Sequence, residues 1–314
     1  MILFKAGSKG PAFLAMGDRM KSKQKTKGFA YILPALVFIV VIFMIPLTYT
    51  VVMSFLRWNL LRPDLGIKPA GFTNYVRLFT DSFTLDTVGR TFYFVVGAVL
   101  VELIIGLCIA LALDTEFKGW KIVQSILLVP FMIAPVVVGY VWRFVLNSDY
   151  GPIIHLMKQI GFGGLVDKPL LSNPSAAMPV LIVADAWEYI PFVTLVLLAG
   201  LKSVPYEPYE AAFVDGASSI QRFFYITLPL LRPSILVAVV IRTLTSLRVF
   251  DIVFIMTGGG PGTATETLAF YGYRTAFQAY NVGFSSAINM LTFGIAVVFT
   301  ILYMKIIGGG KNYD

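Results

Sequence analysis

The sequence predicts an all-α protein, a polytopic membrane bundle with six transmembrane helices. The first observation is compositional: 57% of the 314 residues are hydrophobic, 13% are charged, and the mean hydropathy is +0.80. A soluble domain averages about 45–50% apolar and about 25% charged residues, so this excess cannot be buried in one water-soluble core. The second observation is that the apolar residues form six runs, each as long as the roughly 20 residues that a spanning helix needs.

The six runs are separated by polar connections of unequal length. In order, the predicted spans are residues 29–55, 91–113, 121–146, 176–201, 233–256 and 284–307. Prolines fall inside or at the edges of several spans, where neighbouring helices of a bundle can satisfy the carbonyls that a proline leaves free. These prolines are Pro34, Pro46, Pro130, Pro135, Pro179, Pro191 and Pro233.

The charge pattern predicts the orientation of the spans. The segment 1–28 carries seven Lys and Arg residues against the single acid Asp18, and basic flanks stay on the cytoplasmic side. With the first transmembrane helix at 29–56 and six spans in all, both termini are expected in the cytoplasm, including the short tail 308–314. The first run is too long for the apolar part of a signal peptide, so we expect it to be retained.

Composition also excludes several classes of function. The pI near 9.4 and net charge of +8 fit basic residues retained beside a membrane, and no nucleic-acid partner is expected. The single cysteine, Cys108, cannot form an internal disulfide, and the single histidine, His155, has no neighbouring ligand set. Metal and redox chemistry are therefore not expected.

The loop 202–232 has helical character of its own. Two prolines can open a short helix, two glutamates near its start suit the helix dipole, and Ala211–Ala212 give a small-residue face. Asp215–Gly216 can end this helix because glycine accepts the left-handed conformation. Such a helix fits closely into a cleft on another protein. The alternative is an ordinary interfacial helix between two spans.

This loop resembles the EAA signature of binding-protein-dependent ABC importer permeases. The signature reads E-A-A-x-x-D-G-A, then x5-F-x2-I-x-L-P-x3-P, and every named position is matched. The matching residues are Glu210, Ala211, Ala212, Asp215, Gly216, Ala217, Phe223, Ile226, Leu228, Pro229 and Pro233. The resemblance implies that the first six of them couple the chain to an ATPase.

A second segment is similar to one subfamily. Residues 250–253 (FDIV) lead into 257–262 (TGGGPG) and 265–267 (TET), as in the first permease subunit of importers of the maltose and glycerol-phosphate type. The resemblance covers about residues 30–307. It implies a type I importer core at 86–307, with the first helix wrapping outside it.

The same resemblance implies a function and partners. It implies half of a pathway for a sugar or polyol, in the bacterial cytoplasmic (inner) membrane. The partners would be a second homologous permease, two ABC ATPases, an extracytoplasmic solute-binding protein and the lipid bilayer. The glycine-rich stretches 258–262 and 308–311 lack the G-x-x-x-x-G-K-[ST] spacing of a phosphate loop. ATP and Mg are thus expected on partner subunits, and this chain is expected to be non-catalytic, with no cofactor.

Charged residues inside the spans mark candidate contacts with the solute, because a charge at bilayer depth costs at least about 2.5 kcal/mol. Glu102 and Arg242 are interpreted as structural contacts between helices. The candidate pathway residues are Arg143, Asp185, Glu188, Arg248 and Asp251.

Two alternatives stay open. The first is that the charges form the ion pairs Arg143–Asp185 and Arg248–Asp251, which would hold the bundle together. The second is that the protein is an ion- or proton-coupled secondary transporter or channel that acts without an ATPase. A purely structural scaffold would leave the EAA signature without a purpose.

Overall fold

The computed structural model describes the backbone of residues 11–115 and 117–308, and the side chains of residues 32–115, 117–164 and 166–306. The chain divides into two compact units, Met1–Val52 and Met53–Asp314. Helix α1 runs over Pro11–Ser54. Its segment Ile32–Ser54 has a mean hydropathy of 2.6 and is long enough to cross a membrane. Of the predicted tails, residues 1–10 and 309–314 lie outside the described residues.

The second unit is almost entirely helical. It begins with a small antiparallel pair, in which β1 (Leu56–Arg57) lies beside β2 (Lys68–Pro69). The helices that follow are α2 (Thr73–Thr80), α3 (Ser82–Asp114), α4 (Trp120–Leu128), α5 (Pro135–Val145), α6 (Pro152–Gln159), α7 (Gly163–Val166), α8 (Pro174–Lys202), α9 (Glu207–Val214), α10 (Ser219–Arg222), α11 (Leu228–Ser246), α12 (Asp251–Met256), α13 (Leu268–Phe277) and α14 (Val282–Gly308).

Helices α3 and α8 pack along each other and form the centre of this unit. Small residues permit the close approach, as at other helix interfaces in membranes. A Cβ atom on Gly106 would lie 3.0 Å from Cγ1 of Val193, and one on Gly97 would lie 2.7 Å from Cδ1 of Ile182. The tight α3–α8 pair supplies a rigid frame for the polar groups described below.

The third predicted span is not one straight helix. Helix α4 continues through a turn of 3₁₀ helix at Pro130–Met132, and α5 leaves it at an angle of 95°. Both Pro130 and Pro135 lack an amide hydrogen, and a proline also restricts the residue before it. Ala134 accordingly has extended backbone (φ −65°, ψ 137°). The predicted span 121–146 is therefore a bent pair of helices.

The fifth predicted span has different ends. A continuous candidate span covers Ser219–Ser246, and the chain breaks before α12. At the break, the hydroxyl of Thr267 donates to the carbonyl of Val249. The predicted run 233–256 therefore joined two separate helices and missed the helical segment before Pro233.

In the described part of the chain, five helices are long and apolar enough to cross a membrane, and the bent α4–α5 pair brings the total to six if it counts as one span. The predicted class, an all-α membrane bundle, is confirmed.

Candidate functional site

The EAA loop, defined as residues 202–232, forms a short exposed helix with a well-defined end. Helix α9 begins at Glu207 with a proline in its first turn. At its end, the amide of Ala217 donates to the carbonyl of Ala212, and the amide of Gly216 to that of Phe213. With Gly216 at φ +74°, this is a Schellman motif, which satisfies carbonyls that a helix end would leave free. The predicted stop at Asp215–Gly216 is confirmed.

Side chains hold α9 against the start of the next span. The hydroxyl of Tyr209 donates to that of Thr227 over 2.9 Å. Ser218 and Gln221 form a reciprocal capping box that opens α10, and a π-helical turn over Phe223–Thr227 leads into α11. Helix α9 therefore follows α8 in the chain and is bonded to the residue that precedes α11.

The residues of the predicted coupling motif are accessible. Glu210, Ala211, Asp215 and Gly216 are exposed, while Ala212 and Ala217 are half-buried. A groove of about 340 Å³ lies beside them and is lined by Ala212, Asp215, Gly216, Ala217, Gln221, Arg222, Tyr225 and Ile226. Large apolar side chains of the EAA loop are exposed, namely Tyr206, Phe213, Val214, Ile220, Phe224 and Tyr225. Exposed apolar surface of this kind is typical of protein contacts.

A buried ion cluster links three spans. Arg242 of α11 donates from Nε and Nη2 to the two carboxylate oxygens of Glu102 of α3, at 2.5 and 2.6 Å. Its Nη2 also donates to Oδ2 of Asp185 of α8, at 2.5 Å. The guanidinium lies over the ring of Tyr189, 3.6 Å from the ring centre. All three charged residues are at least 97% buried, with exposed fractions of 0% for Glu102, 3% for Asp185 and 1% for Arg242.

A small cavity adjoins this cluster. Its volume is about 90 Å³, and its lining comprises Pro135, Asp185, Glu188, Tyr189, Arg242, Thr245, Arg248, Val249, Phe250, Asp251 and Ile252. Four of the five predicted pathway residues thus line one cavity, and the fifth, Arg143, does not. Arg143 instead donates to the carbonyl of Ile255 over 2.9 Å.

The alternative ion pairs do not form among the described residues. Asp185 pairs with Arg242 and not with Arg143. Arg248 is exposed and makes no ion pair with Asp251 in the described part of the chain. The pairing of Asp185 was missed because Arg242 follows it by 57 positions. The sequence shows opposite charges at similar positions along the spans, but this does not identify Arg242 as the partner of Asp185.

A further buried acid lies in the connection between α12 and α13. Glu266 is 1% exposed, and its Oε1 lies 2.9 Å from Nη2 of Arg274. Nε of Arg90 donates to the backbone carbonyl of Glu266 over 3.3 Å. Burial raises the pKa of the Glu266 carboxyl, and the neighbouring Arg274 and Arg90 oppose this only in part. This burial could not be predicted from sequence, since Glu266 stands in a polar, glycine-rich stretch.

Several apolar spans, a polar cavity between them and an exposed helix between two spans are features of a membrane permease. A family model for the binding-protein-dependent transport system inner membrane component matches residues 88–308. The chain belongs to this family and has the type I ABC importer permease fold.

Relatives and solved structures agree with this assignment. The chain is 36% identical to the trehalose/maltose transport system permease protein MalF of Thermococcus litoralis, over 92% of this chain and 96% of MalF. It is 33% identical to the sulfoquinovosyl glycerol transport system permease protein SmoG of Agrobacterium fabrum, over 94% and 92%.

Among solved structures, it resembles a bacterial alginate ABC transporter in complex with an alginate pentasaccharide-bound periplasmic protein. The TM-score is 0.75 at 25% identity, over 91% of this chain and 96% of the other.

Proposed function

We propose that this chain forms half of the translocation pathway of an ATP-driven importer for a sugar or a related polyol. The observation that carries the proposal is the EAA loop, an exposed helix with a fixed end, bonded to the start of α11 beside an open groove. The solute class is supported by MalF and SmoG, whose names specify sugars and a sugar glycoside.

The partners follow from this role. A second homologous permease completes the pathway, two ABC ATPases dock on the EAA loops, and an extracytoplasmic solute-binding protein delivers the solute. The alginate transporter supports the last of these, since it is described with a periplasmic protein. ATP and Mg bind to the ATPases, and this chain is non-catalytic and holds no cofactor. It lies in the bacterial inner membrane with both termini in the cytoplasm, so the EAA loop also faces the cytoplasm.

The mechanism is alternating access. A nucleotide shifts a conformational equilibrium only through its different affinity for the two states. Docking of α9 in an ATPase cleft meets this condition, because closure of the ATPases moves α9 and with it the adjoining ends of α8 and α11. The solute passes the cavity beside Arg242, where Asp185, Glu188, Arg248 and Asp251 face it, with Arg143 on the adjacent α5.

Affinity purification of the tagged chain from mildly solubilised membranes tests the proposal. We expect an ATPase and a second permease to co-purify, and uptake by the reconstituted complex to require ATP. Solute uptake by the chain alone, driven by a proton or ion gradient, would overturn the proposal in favour of a secondary transporter.

A further inference from the structure

Glu188 is a buried acid with an unused oxygen. Its side chain is 2% exposed, and Oε2 has no hydrogen-bond partner among the described residues. It lies one helical turn after Asp185 on α8 and lines the cavity of about 90 Å³ beside the ion cluster. A buried polar atom without a partner is costly, so such an atom at a cavity wall indicates a ligand that supplies the missing hydrogen bond.

The wall of this cavity carries three carboxyl groups, on Asp185, Glu188 and Asp251, against two guanidinium groups. Arg242 is shared between Glu102 and Asp185, so these three groups together retain one negative charge when ionised. The formal charges of Arg248 and Asp251, which also line the wall, are opposite and sum to zero. With all these groups and Glu188 ionised, the wall and the cluster behind it carry a net negative charge, and Glu188 supplies the excess on the wall itself.

We propose, resting on the function proposed above, that Glu188 and the ion cluster make this wall selective for uncharged polyhydroxylated solutes over anionic ones. A sugar hydroxyl donates to Oε2 of Glu188 and satisfies it. A phosphate, sulfonate or carboxylate on the solute brings further acceptors and a like charge into a site with little water, where repulsion is strong. The cavity is smaller than the roughly 300 Å³ of a typical ligand pocket, so the second permease supplies the remaining walls.

One group on the wall opposes this selectivity. Arg248 is exposed and has no ion pair in the described part of the chain, so it is the group from which an anionic solute would gain attraction. Glu188 is buried, whereas Arg248 is exposed. A solute therefore contacts Glu188 in a part of the cavity that is shielded from water. The proposal therefore makes Glu188 the residue that decides between the two solute classes.

The test measures solute binding to the purified complete complex, without the binding protein, so that the preference of the binding protein does not enter. The probes are matched pairs: trehalose and trehalose 6-phosphate, glucose and glucuronate, glycerol and glycerol 3-phosphate. We expect the neutral member of at least one pair to bind at least about tenfold more tightly. Glu188→Gln should reduce this preference about tenfold, because it removes the charge and converts an acceptor oxygen into a donor.

Two further variants complete the design. Glu188→Asp keeps the charge and should retain the preference, while Asp149→Asn, at an exposed position, should leave it unchanged. Tighter binding of an anionic member, a preference that Glu188→Gln does not alter, or no binding of any probe would each overturn this inference. A complex that lacks an ATPase would instead overturn the proposed function. Co-elution of the subunits shows whether each variant has folded.

Discussion

At the scale of the residue, Arg242 is held by an unusually complete set of contacts. It uses four of its five N–H donors, three on the carboxylates of Glu102 and Asp185 and one on the hydroxyl of Thr245. Taking these charges out of water is expensive, and the cost is recovered only when the geometry is good and every partner is present. The cluster therefore stabilises the bundle only as a set.

This leads to a prediction for single and combined substitutions. Arg242→Met should destabilise the protein by about 3–5 kcal/mol, because it leaves two buried carboxylates without a counter-charge. Adding Glu102→Gln and Asp185→Asn to the same chain should recover most of that loss. Thermal unfolding of the purified complex measures both effects, with Arg62→Met, at an exposed position, as the matched control. An equal loss in the control variant would contradict the prediction.

Glu266 gives a prediction for the pH dependence of stability. Burial raises the pKa of its carboxyl, so the folded protein holds this proton more tightly than the unfolded chain does. Its contribution to stability is full below the ordinary carboxyl pKa and is lost as the pH rises through the raised pKa, by at most about 1.4 kcal/mol per pH unit. Glu266→Gln should remove this dependence. Unfolding midpoints of both proteins across the acidic range test it, and identical pH profiles would show that the prediction is wrong.

At the scale of the element, the end of α9 depends on one backbone conformation. Gly216 has φ +74°, and a Cβ atom there would meet no atom within 4 Å, so a side chain is opposed by the backbone and not by crowding. Gly216→Val should therefore cost about 1–2 kcal/mol locally, whereas Gly216→Asn should be tolerated, since asparagine adopts this conformation more readily.

The functional consequence is a loss of coupling. In the reconstituted complex, Gly216→Val should reduce the solute transported per ATP hydrolysed, because α9, which we propose docks on the ATPase, no longer has a fixed end. Gly216→Asn is the control at the same position. Equal coupling ratios in both variants and the unmodified chain would argue against a docking role for α9.

Most elements were predictable from the sequence, but the breaks inside the third and fifth predicted spans were not. Periodic apolar runs locate the spans, and glycine and proline locate the end of α9. Whether a proline bends a helix or is accommodated depends on its neighbours: Pro233 stays inside α11, whereas Pro130 and Pro135 separate α4 from α5. Hydropathy cannot distinguish these outcomes, since both segments are apolar enough to be candidate spans.

At the scale of the whole molecule, the candidate site forms from residues that are far apart in sequence. Glu102 and Arg242 are separated by 140 positions, and their pairing arises from the packing of α3, α8 and α11. Each charged residue could be recognised from sequence because it lies within an apolar span. Only the packing of the bundle determines which of these residues find a partner and which, like Glu188, face a cavity. The EAA loop was predictable because its signature is local, whereas the pairing of the buried charges was not.

The predicted topology places each connection between spans on a definite side of the membrane, and cysteine labelling can test this. After Cys108→Ser removes the exposed native cysteine, single cysteines are placed at Lys118, Asp149 and Ser219, which are all exposed. A membrane-impermeant maleimide applied to intact spheroplasts should label the cysteine at 149 alone. Helix α8 places residues 149 and 219 on opposite sides of the membrane, whether or not the α4–α5 pair crosses it. Residues 118 and 149 lie on opposite sides only if the bent α4–α5 pair crosses the membrane completely. The same result at 118 and 149, whether both are labelled or both are protected, would therefore mean that the bent pair returns to the same side, which would leave five spans and place the two termini on opposite sides of the membrane.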